Sequence, residues 1–482
     1  MNTSVRLEDL KRRKAINLIM ENKVAWNKYS KKERKKLETL NRHYINFISN
    51  NKTERECTKA AVKMAKESGY KNLADVIESG KKLKVTDKIY ATSDGKTIML
   101  VHIGKKGMSE GFNILGAHID SPRLDIKQNP LFEKGGLSLL DTHYYGGIKK
   151  YQWVTLPLAL HGVVTLKSGK VININIGESK KDPVLCISDL LPHLAAEQMN
   201  KSAKDFIEGD ALDVIVGNEP LRGEKKDAVK ANTLRILKKK YGFKERDFLS
   251  AELEIVPAGR ARELGLDKSM VIGYGQDDRV CAFTSLVAQL DLKWKKITPD
   301  KTAVTILVDK EEIGSVGATS MSGAFFENTL MEIARLLGDT NPLAVRRAFQ
   351  KSKMLSSDVN AGVDPHYEQF FETKNASYCG KGLVFSKFTG SRGKSGSNDA
   401  NAEYVAKLRD VMDKANVSYQ FSELGRVDVG GGGTIAYIPA NLGIQVIDSG
   451  VAVLSMHSPW EITSKCDVWE AYRGYIAFLE NA

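Results

Sequence analysis

The sequence predicts an α/β protein with a mostly parallel sheet covered by helices and a β-rich insertion. From about residue 256 onward, short apolar strands alternate with helical segments, which is typical of such a sheet. Between 122 and 255, short β-like segments and tight turns dominate instead. A chain of 482 residues is long enough for two or three domains. We therefore expect one domain in two parts, 1–121 and 256–482, with an inserted β-rich domain at 122–255.

In the first part, helical and strand patterns follow one another. Apolar residues recur at helix spacing within 7–50, and a second helix is expected where Thr53 can act as the N-cap. Apolar runs at 88–92 and 97–103 flank an Asp-Gly dipeptide, which indicates a hairpin. A further strand at 112–116 leads directly to His118 and Asp120.

The remaining elements follow from the same periodicities. The insertion is expected to close with a polar helix and one more strand, at 225–240 and 248–256. Beyond it we expect strands at 303–308, 354–358, 383–386 and 451–456, the last of these being the final strand, and helices at 280–290, 329–337 and 466–480.

Composition excludes several classes of protein. The longest apolar runs fall short of the ~18 residues that a membrane helix needs, and the first residues lack a signal-peptide pattern. The five cysteines include no CxxC pair, so neither a disulfide framework nor a thiolate zinc site is indicated. The net charge of +13 raises nucleic acid as a partner, but no nucleic-acid-binding motif accompanies it. We expect a cytoplasmic protein that binds neither membranes nor nucleic acid.

The stretch Asp309-Lys310-Glu311-Glu312-Ile313 is the most informative in the chain. It follows a short β-branched run, which is typical of a strand buried on both faces. Buried carboxylates are costly unless they are paired or bind a cation, and active sites lie at the strand ends of open α/β sheets. A solvated acidic turn is the alternative interpretation of this stretch alone.

Imidazole and carboxylate side chains recur at other strand ends and turns, and both suit zinc, cobalt or manganese. Two divalent ions would need a shared carboxylate. His118, Asp277 and Glu312 could hold one ion, and Asp277, Asp358 and His457 the other. Glu311 is then free to act as a general base, and Asp120 can orient the His118 ring. Taken singly, Asp277 can be a helix cap and Asp358 an Asx-turn residue, but one metal site explains all these residues together.

Six motifs, in order along the chain, resemble those of the M18 family of metalloaminopeptidases. They are His118-Ile119-Asp120-Ser121-Pro122, Gln276-Asp277-Asp278-Arg279-Val280-Cys281, Asp309-Lys310-Glu311-Glu312-Ile313-Gly314-Ser315, Ser357-Asp358, Gly433-Thr434 and Ser455-Met456-His457-Ser458.

The resemblance implies the two-metal aminopeptidase fold and the removal of N-terminal residues from peptides. It also implies zinc as the usual metal and a large homo-oligomer, a dodecamer in this family, with the insertion serving oligomerisation and covering the active site. It assigns the same five residues to the metals, Glu311 as the general base and Asp120 to the support of an imidazole. Lys381, in Gly380-Lys381-Gly382, resembles a family lysine that contacts substrate.

Two departures from the family pattern concern substrate contacts. Eukaryotic members carry Trp-Phe-Asp-Arg where this chain has Gln152-Trp153-Val154-Thr155, and segment 359–367 lacks their histidine-rich pattern. A preference for acidic N-terminal residues is therefore open, with a broad or neutral preference as its rival.

Two other kinds of function compete with this interpretation. A metallocarboxypeptidase or a deacetylase on a similar two-metal scaffold is the main alternative. An ATPase loop at Gly393-Lys394-Ser395 fails because Phe388 stands where a glycine is needed.

Overall fold

The computed structural model describes residues 24–295 and 297–482. Its strands are β1 (Lys71–Asn72), β2 (Lys88–Ser93), β3 (Thr97–His102), β4 (Phe112–His118), β5 (Arg123–Lys134), β6 (Leu137–Tyr145), β7 (Leu158–Thr165), β8 (Val171–Ile176), β9 (Val214–Gly217), β10 (Ala251–Pro257), β11 (Arg262–Leu264), β12 (Met270–Gly273), β13 (Thr302–Val308), β14 (Lys353–Ser357), β15 (Asn360–Ala361), β16 (Leu383–Ser386), β17 (Tyr419–Phe421), β18 (Gln445–Gly450), β19 (Ala452–Leu454) and β20 (Glu461–Ser464). Its α-helices are α1 (Lys31–Asn50), α2 (Glu54–Glu67), α3 (Leu73–Glu78), α4 (Ala196–Met199), α5 (Ala228–Tyr241), α6 (Gln276–Trp294), α7 (Phe325–Leu336), α8 (Ala344–Gln350), α9 (Ala402–Lys414), α10 (Tyr437–Asn441) and α11 (Lys465–Asn481).

The main sheet has nine strands in the order β1-β2-β3-β13-β4-β14-β18-β16-β17. Its centre is four neighbouring parallel strands, β13, β4, β14 and β18. Antiparallel pairs occur where β3 meets β2 and β13 and where β16 meets β18. The predicted α/β class with a mostly parallel sheet is confirmed, and the carboxyl ends of the four central strands lie at one edge.

Helices cover both faces of this sheet. Apolar residues of α1, α2, α6, α9 and α11 pack on one face, and those of α3, α7 and α8 pack on the other. All seven residues of β13 are buried, as a β-branched run between two helical layers requires. The strand that leads to Asp309–Ile313 therefore lies in the core.

A second sheet comes from the stretch where the sequence predicts the β-rich insertion. Its six strands have the order β8-β7-β10-β5-β6-β9, and all the pairs are antiparallel. One face builds a separate apolar core, to which α5 contributes Leu234 and Leu237. We call this the inserted sheet.

Buried charges join the inserted sheet to the α2 region, and we call this group the junction cluster. Lys52 Nζ donates to the Glu178 carboxylate and to the main-chain oxygens of Pro257 (2.7 Å) and Gly259 (2.8 Å). The two ring nitrogens of His161 lie 2.9 and 3.1 Å from carboxylate oxygens of Glu56 and Glu178. The complete set is Lys52, Glu54, Glu56, Arg123, His161, Glu178 and Glu254.

A small third sheet has the order β11-β12-β20-β19-β15. Its short strands lie in the chain before β13, between β14 and β16, and after β18. All four residues of β12 pair antiparallel with β20. No periodicity in the sequence indicated it. Its importance is that β12 precedes Asp277 and that the β19–β20 turn contains His457, both of which are predicted metal ligands.

Several predicted boundaries change. Residues 7–23 of the predicted first helix lie outside the described residues. In the described part of the chain, α1 begins at Lys31, where Ser30 and Glu33 form a capping box. Thr53 caps α2 as predicted. The strand predicted at 248–256 begins at Ala251, because Glu245–Ser250 forms a 3₁₀ helix. The prediction that 451–456 is the final strand is wrong, because β20 follows it. The strand there, β19, is also shorter than predicted, and β18 ends directly before it.

Candidate active site

Three parallel strands of the main sheet end in predicted ligands. His118 is the last residue of β4 and pairs in register with Val308, the last residue of β13. The turn after β13 carries Glu311 and Glu312, and Asp358 follows β14 directly. Because these strands are neighbours and run in the same direction, their polar ends meet at one edge of the sheet.

The small third sheet delivers the other two ligands. Asp277 follows the turn after β12, and His457 lies in the turn between β19 and β20. One buried carboxylate on β20 ties them together, because Glu461 accepts hydrogen bonds from the main-chain N–H groups of His457 (2.7 Å) and Asp277 (3.1 Å). Glu461 was missed from the sequence, although an acidic residue four positions after His457 in a strand-like segment was a usable signal.

Asp277 stands between the two imidazoles. Its Oδ1 lies 3.1 Å from His118 Nε2, and its Oδ2 lies 3.2 Å from His457 Nε2. Asp358 Oδ1 is 3.8 Å from His118 Nε2, whereas Glu312 Oε2 is 3.6 Å from His457 Nε2. One carboxylate thus faces two separate groups of nitrogen and oxygen donors.

Asp120 organises the turn that carries the two glutamates. Its carboxylate accepts hydrogen bonds from the main-chain N–H groups of Glu311 and Glu312, each at 3.2 Å. The same carboxylate lies 3.3 Å from His118 Nδ1. Glu311 Oε2 approaches no closer than 3.9 Å to His118 Nε2 and keeps a partly exposed side chain. Asp120 therefore supports the imidazole and the turn, and Glu311 faces the open side.

Burial and neighbouring carboxylates disfavour the charged form of Glu311, Glu312 and Asp358 in the absence of a compensating cation. Burial raises the pKa of Glu311 to about 7, with Asp277 and Asp120 adding to the shift and His118 opposing it. Burial likewise raises the pKa values of Glu312 and Asp358 well above their ordinary range. For His457, burial opposes protonation, but the hydrogen bond to Asp277 and the charge of Glu312 outweigh it and raise the pKa to about 10.

The residues present fit divalent cations. In each of three sets of residues, the donor atoms all lie within 4.8 Å of one another. The sets are His118 with Glu311 and Asp358, His118 with Asp277 and Glu312, and Asp277 with Asp278 and Asp358. Both carboxylate oxygens of Asp278, and Oε1 of Glu312, are buried without a hydrogen-bond partner among the described residues. Imidazole and carboxylate donors with uncompensated negative charge are the environment that zinc and similar ions occupy.

A cavity of about 410 Å³ opens over these donors. Its lining includes Glu311, Asp358 and His457, and its far wall is formed by the glycine-rich segment 431–433 and Asp448. No lysine or arginine lines it among the described residues. A second cavity, of about 530 Å³, shares Met456 and His457 with the first.

Lys381 is not brought to the metal-ligand group. The Asp467 carboxylate accepts hydrogen bonds from the N–H groups of Gly380 and Gly382, each at 2.7 Å, and so fixes the loop on both sides of the lysine. Lys381 Nζ lies 3.9 Å from the centre of the Tyr378 ring. Within a single chain its substrate contact stays a prediction.

The described part of the chain contains no helix that could span a membrane. None of its helices combines sufficient length with sufficient apolar character to cross a bilayer.

A parallel sheet whose strand ends gather imidazoles and carboxylates, beneath an open cavity, defines a metal-dependent hydrolase. The chain matches the family model described as aminopeptidase I zinc metalloprotease (M18) over residues 47–479. It therefore belongs to the M18 family and is an aminopeptidase, a peptide hydrolase, as the motifs in the sequence predict.

Relatives extend over almost the whole chain. A probable M18 family aminopeptidase 1 from Clostridium acetobutylicum is 56% identical over 466 residues, covering 96% of this chain and 99% of the relative. The crystal structure of an M18 aminopeptidase from Thermotoga maritima superposes with a TM-score of 0.91 at 42% identity, covering 96% of this chain and all of the other. The crystal structure of aminopeptidase I from Clostridium acetobutylicum gives 0.89 at 54% identity, with the same coverage.

Proposed function

We propose that the chain hydrolyses the N-terminal peptide bond with two divalent ions, zinc in the first instance, and with Glu311 as the general base. The observation that carries this proposal is the position of Asp277, whose two carboxylate oxygens face His118 and His457 at 3.1 and 3.2 Å. A carboxylate in this position can bridge two ions. The cluster around it supplies the remaining donors.

The distances favour one grouping of the ligands. His118, Asp277 and Asp358 would hold one ion, and Asp277, Glu312 and His457 would hold the other. The sequence alone grouped Glu312 with His118 and Asp358 with His457. Asp358 lies near His118 and Glu312 near His457, which supports exchanging these two ligands, although Glu312 also lies within 4.8 Å of the His118 and Asp277 donors.

Bound divalent ions would supply a more acidic water and an electron-poor carbonyl carbon. The chain's own residues do the rest. Glu311 faces the cavity, so its carboxylate can take a proton from water and deliver it to the leaving amine. Asp120 holds both the His118 ring and the Glu311 main chain, so base and imidazole keep a fixed separation.

The cavity favours an uncharged N-terminal side chain over an acidic one. A desolvated substrate carboxylate needs a cationic partner. The described lining of the 410 Å³ cavity over the donors offers acidic groups and no lysine or arginine, and Lys149 lines only the neighbouring cavity. We therefore propose a broad or neutral preference. Aminoacyl-nitroanilides of Asp, Glu, Leu, Ala and Lys compare these possibilities directly. If Lys381→Ala selectively lowers kcat/KM on Asp and Glu, Lys381 binds the acidic side chain and this preference is wrong.

We also propose that residues 122–255 form an inserted domain that supports self-association and covers the site. The structure of the yeast protein mApe1, 19% identical and with a TM-score of 0.73, is of a dodecamer. Light scattering tests whether this chain also assembles. An active species at the monomer mass of 53.3 kDa would refute this assembly proposal.

A reducing compartment suits the cysteines, and we propose a cytoplasmic location. All five are free thiols, and three of them are buried. Fractionation of cells, with antibody detection of the protein, tests this location.

The decisive experiment for the function combines metal analysis with two matched peptides. Purified protein is assayed for bound zinc, and then given the same peptide with a free or an acetylated N-terminus. We expect bound divalent metal and cleavage of the free peptide alone. Release of acetate or of the C-terminal residue would instead favour the deacetylase or carboxypeptidase alternative.

A further inference from the structure

The end of β6 reaches the metal-ligand group from the inserted sheet. Tyr145, the last residue of β6, is buried, and its hydroxyl donates a 2.8 Å hydrogen bond to Asp120 Oδ2. Two residues later, the main-chain oxygen of Gly147 lies 2.9 Å from His457 Nδ1. One short segment of the inserted sheet thus contacts the outer side of both halves of the site.

Tyr145 is held in place by its neighbours. Arg123 is its cross-strand partner on β5, and the guanidinium carbon lies 3.8 Å from the centre of the tyrosine ring. Arg123 is itself fixed, because its Nε lies 2.8 Å from Asp125 Oδ1 and 3.3 Å from Glu254 Oε2. The hydroxyl is therefore presented to Asp120 by a stacked ring with little freedom to rotate.

The bond from Tyr145 completes the set of contacts on Asp120. Asp120 Oδ2 accepts it together with the N–H of Glu312, while Oδ1 accepts the N–H of Glu311 and lies near His118. If the tyrosine hydroxyl is removed, Asp120 Oδ2 loses its shortest hydrogen bond from a neutral donor. The Asp120 carboxylate could then rotate, which would change its contacts with His118 and with the turn that carries both glutamates.

The two glycines after Tyr145 lie against predicted ligands. A Cβ atom on Gly147 would lie 3.3 Å from His457 Nδ1. A Cβ atom on Gly146, which has a φ of +74°, would lie 3.4 Å from the Cβ and Oε2 atoms of Glu312. A side chain at Gly147 would press on the predicted ligand His457, whereas at Gly146 the contact with Glu312 would be ordinary and the positive φ is what favours glycine.

We infer that Tyr145 and Gly147 are positioning residues of the metal centre, Tyr145 acting through Asp120 and Gly147 through His457. The inserted sheet then sets the orientation of both imidazoles, in addition to any role at an interface. This inference rests on the proposed function, because it assumes that His118 and His457 bind metal. Groups that orient metal ligands typically change metal affinity or activity about 10- to 100-fold when they are lost.

The first test is Tyr145→Phe, which removes the hydroxyl and keeps the ring beneath Arg123. Full-length protein is stripped of metal and titrated with Co²⁺ alone, and both calorimetry and the visible absorption of bound cobalt are recorded. We expect cobalt affinity to fall by about tenfold and the cobalt spectrum to change. Reloaded enzyme should lose kcat while KM is kept, because substrate contacts are unaltered.

Tyr70→Phe is the matched control. Tyr70 is also buried, and its hydroxyl accepts a 3.2 Å hydrogen bond from Gln289 away from the site. This variant should lose stability without changing cobalt affinity, spectrum or kcat. If Tyr145→Phe behaves in the same way as Tyr70→Phe, Tyr145 is merely structural and the inference about it is wrong.

Gly147→Ala provides a second test that leaves the Tyr145 hydroxyl intact, and it decides the matter if the first variant does not fold. Its new methyl group would displace the His457 ring by a few tenths of an ångström. We expect weaker cobalt binding and an altered cobalt spectrum in a folded protein. Unchanged binding and spectrum would overturn the role of Gly147. Failure of the unmodified chain to bind Co²⁺ would instead refute the proposed function itself.

Discussion

Two buried groups of charged residues in this molecule differ in how their charge is balanced. In the junction cluster, Lys52 and Arg123 lie among glutamates, and hydrogen bonds to Glu178 and Glu56 raise the pKa of His161 against the effect of its burial, which favours a third positive charge. At the strand ends of the main sheet and of the adjoining third sheet, two imidazoles lie among seven carboxylates, and we call these nine residues the main-sheet group. The carboxylates are Asp120, Asp277, Asp278, Glu311, Glu312, Asp358 and Glu461, and the imidazoles are His118 and His457.

The difference separates a structural role from a functional one. Charges of both signs supplied by the chain can pair when they are buried, which is what a permanent contact needs. Carboxylates that outnumber the chain's own cations remain costly until a cation arrives from outside. The main-sheet group has seven carboxylates against two imidazoles, whereas the junction cluster has four glutamates against three basic side chains. The larger excess of carboxylates therefore marks the main-sheet group as the candidate binding site. Four predictions test this comparison.

Metal removal should have the largest effect, and only on the main-sheet group. Chelation is expected to abolish peptidase activity and to lower the thermal midpoint, because an ion that binds only the folded state stabilises it by about 2.7 kcal/mol at 100 times its Kd. Zinc is added back to recover activity and the midpoint. Unchanged unfolding after chelation, with metal removal verified, would show that the strand-end carboxylates are satisfied without an ion.

Glu311→Gln should lower kcat by a factor of roughly 10² or more while metal content stays normal, because the amide cannot accept the proton. Glu312→Gln is the paired variant, and it should lose metal affinity, because Glu312 lies 3.6 Å from His457 and has an unpartnered oxygen. Glu110→Gln is the control, since Glu110 is exposed and its ion pair among the described residues is with Lys351. If the 311 and 312 variants exchanged these behaviours, base and ligand would have to be reassigned.

Lys52→Met should destabilise the protein without touching metal binding. The change leaves the Glu178 carboxylate and the main-chain oxygens of Pro257 and Gly259 short of a donor, at a cost of about 3 kcal/mol. Denaturant unfolding measures this free energy. The control is Lys414→Met, which removes an exposed pair with Asp410 and should cost less than about 1 kcal/mol. Equal losses of unfolding free energy in the two variants would mean that the junction cluster does not stabilise the fold more than an exposed ion pair does.

The smallest effect concerns pH and the junction cluster. Burial opposes protonation of His161, but its hydrogen bonds to Glu178 and Glu56 outweigh burial and raise its pKa. Lys52 is the other cation at these carboxylates, and its ammonium group pairs with Glu178. Because the folded pKa is the higher one, the stabilisation is complete below the unfolded value of about 6.5 and is lost as pH rises through the folded pKa. Unfolding free energies of metal-free protein at pH 6 and above pH 8 should therefore differ more for the unmodified chain than for His161→Gln. Parallel pH profiles would contradict this prediction.

The sequence predicted the main-sheet group because it depends on rules that act locally. Parallel strands bring their carboxyl ends together, so residues such as His118, Glu312 and Asp358 could be placed in one site from their positions alone. The structure brings those residues within a few ångströms of one another. Asp277 and His457 were also predicted to join them, and the structure places both beside these residues, although the sheet that carries them was not predicted.

The rest depends on contacts between distant segments. The pairing of β12 with β20 unites two strands of four residues each, too short for any periodicity to reveal which partners they choose. Glu461 was therefore missed as the link between Asp277 and His457, and so was the reach of Tyr145 to Asp120. These supporting contacts join segments with no common sequence pattern, and only the folded chain reveals them.

The spread of the ligands along the chain has a consequence for how the enzyme matures. His118 meets Asp277 across 159 positions, and His457 meets Gly147 across 310. Contacts between such remote segments form late and slowly, because large loops must close first. We therefore expect cleaving activity to appear only after the inserted sheet and the C-terminal strands have joined the main sheet. On this expectation a partly folded copy has no complete centre, and unfinished chains of this peptidase do not trim one another.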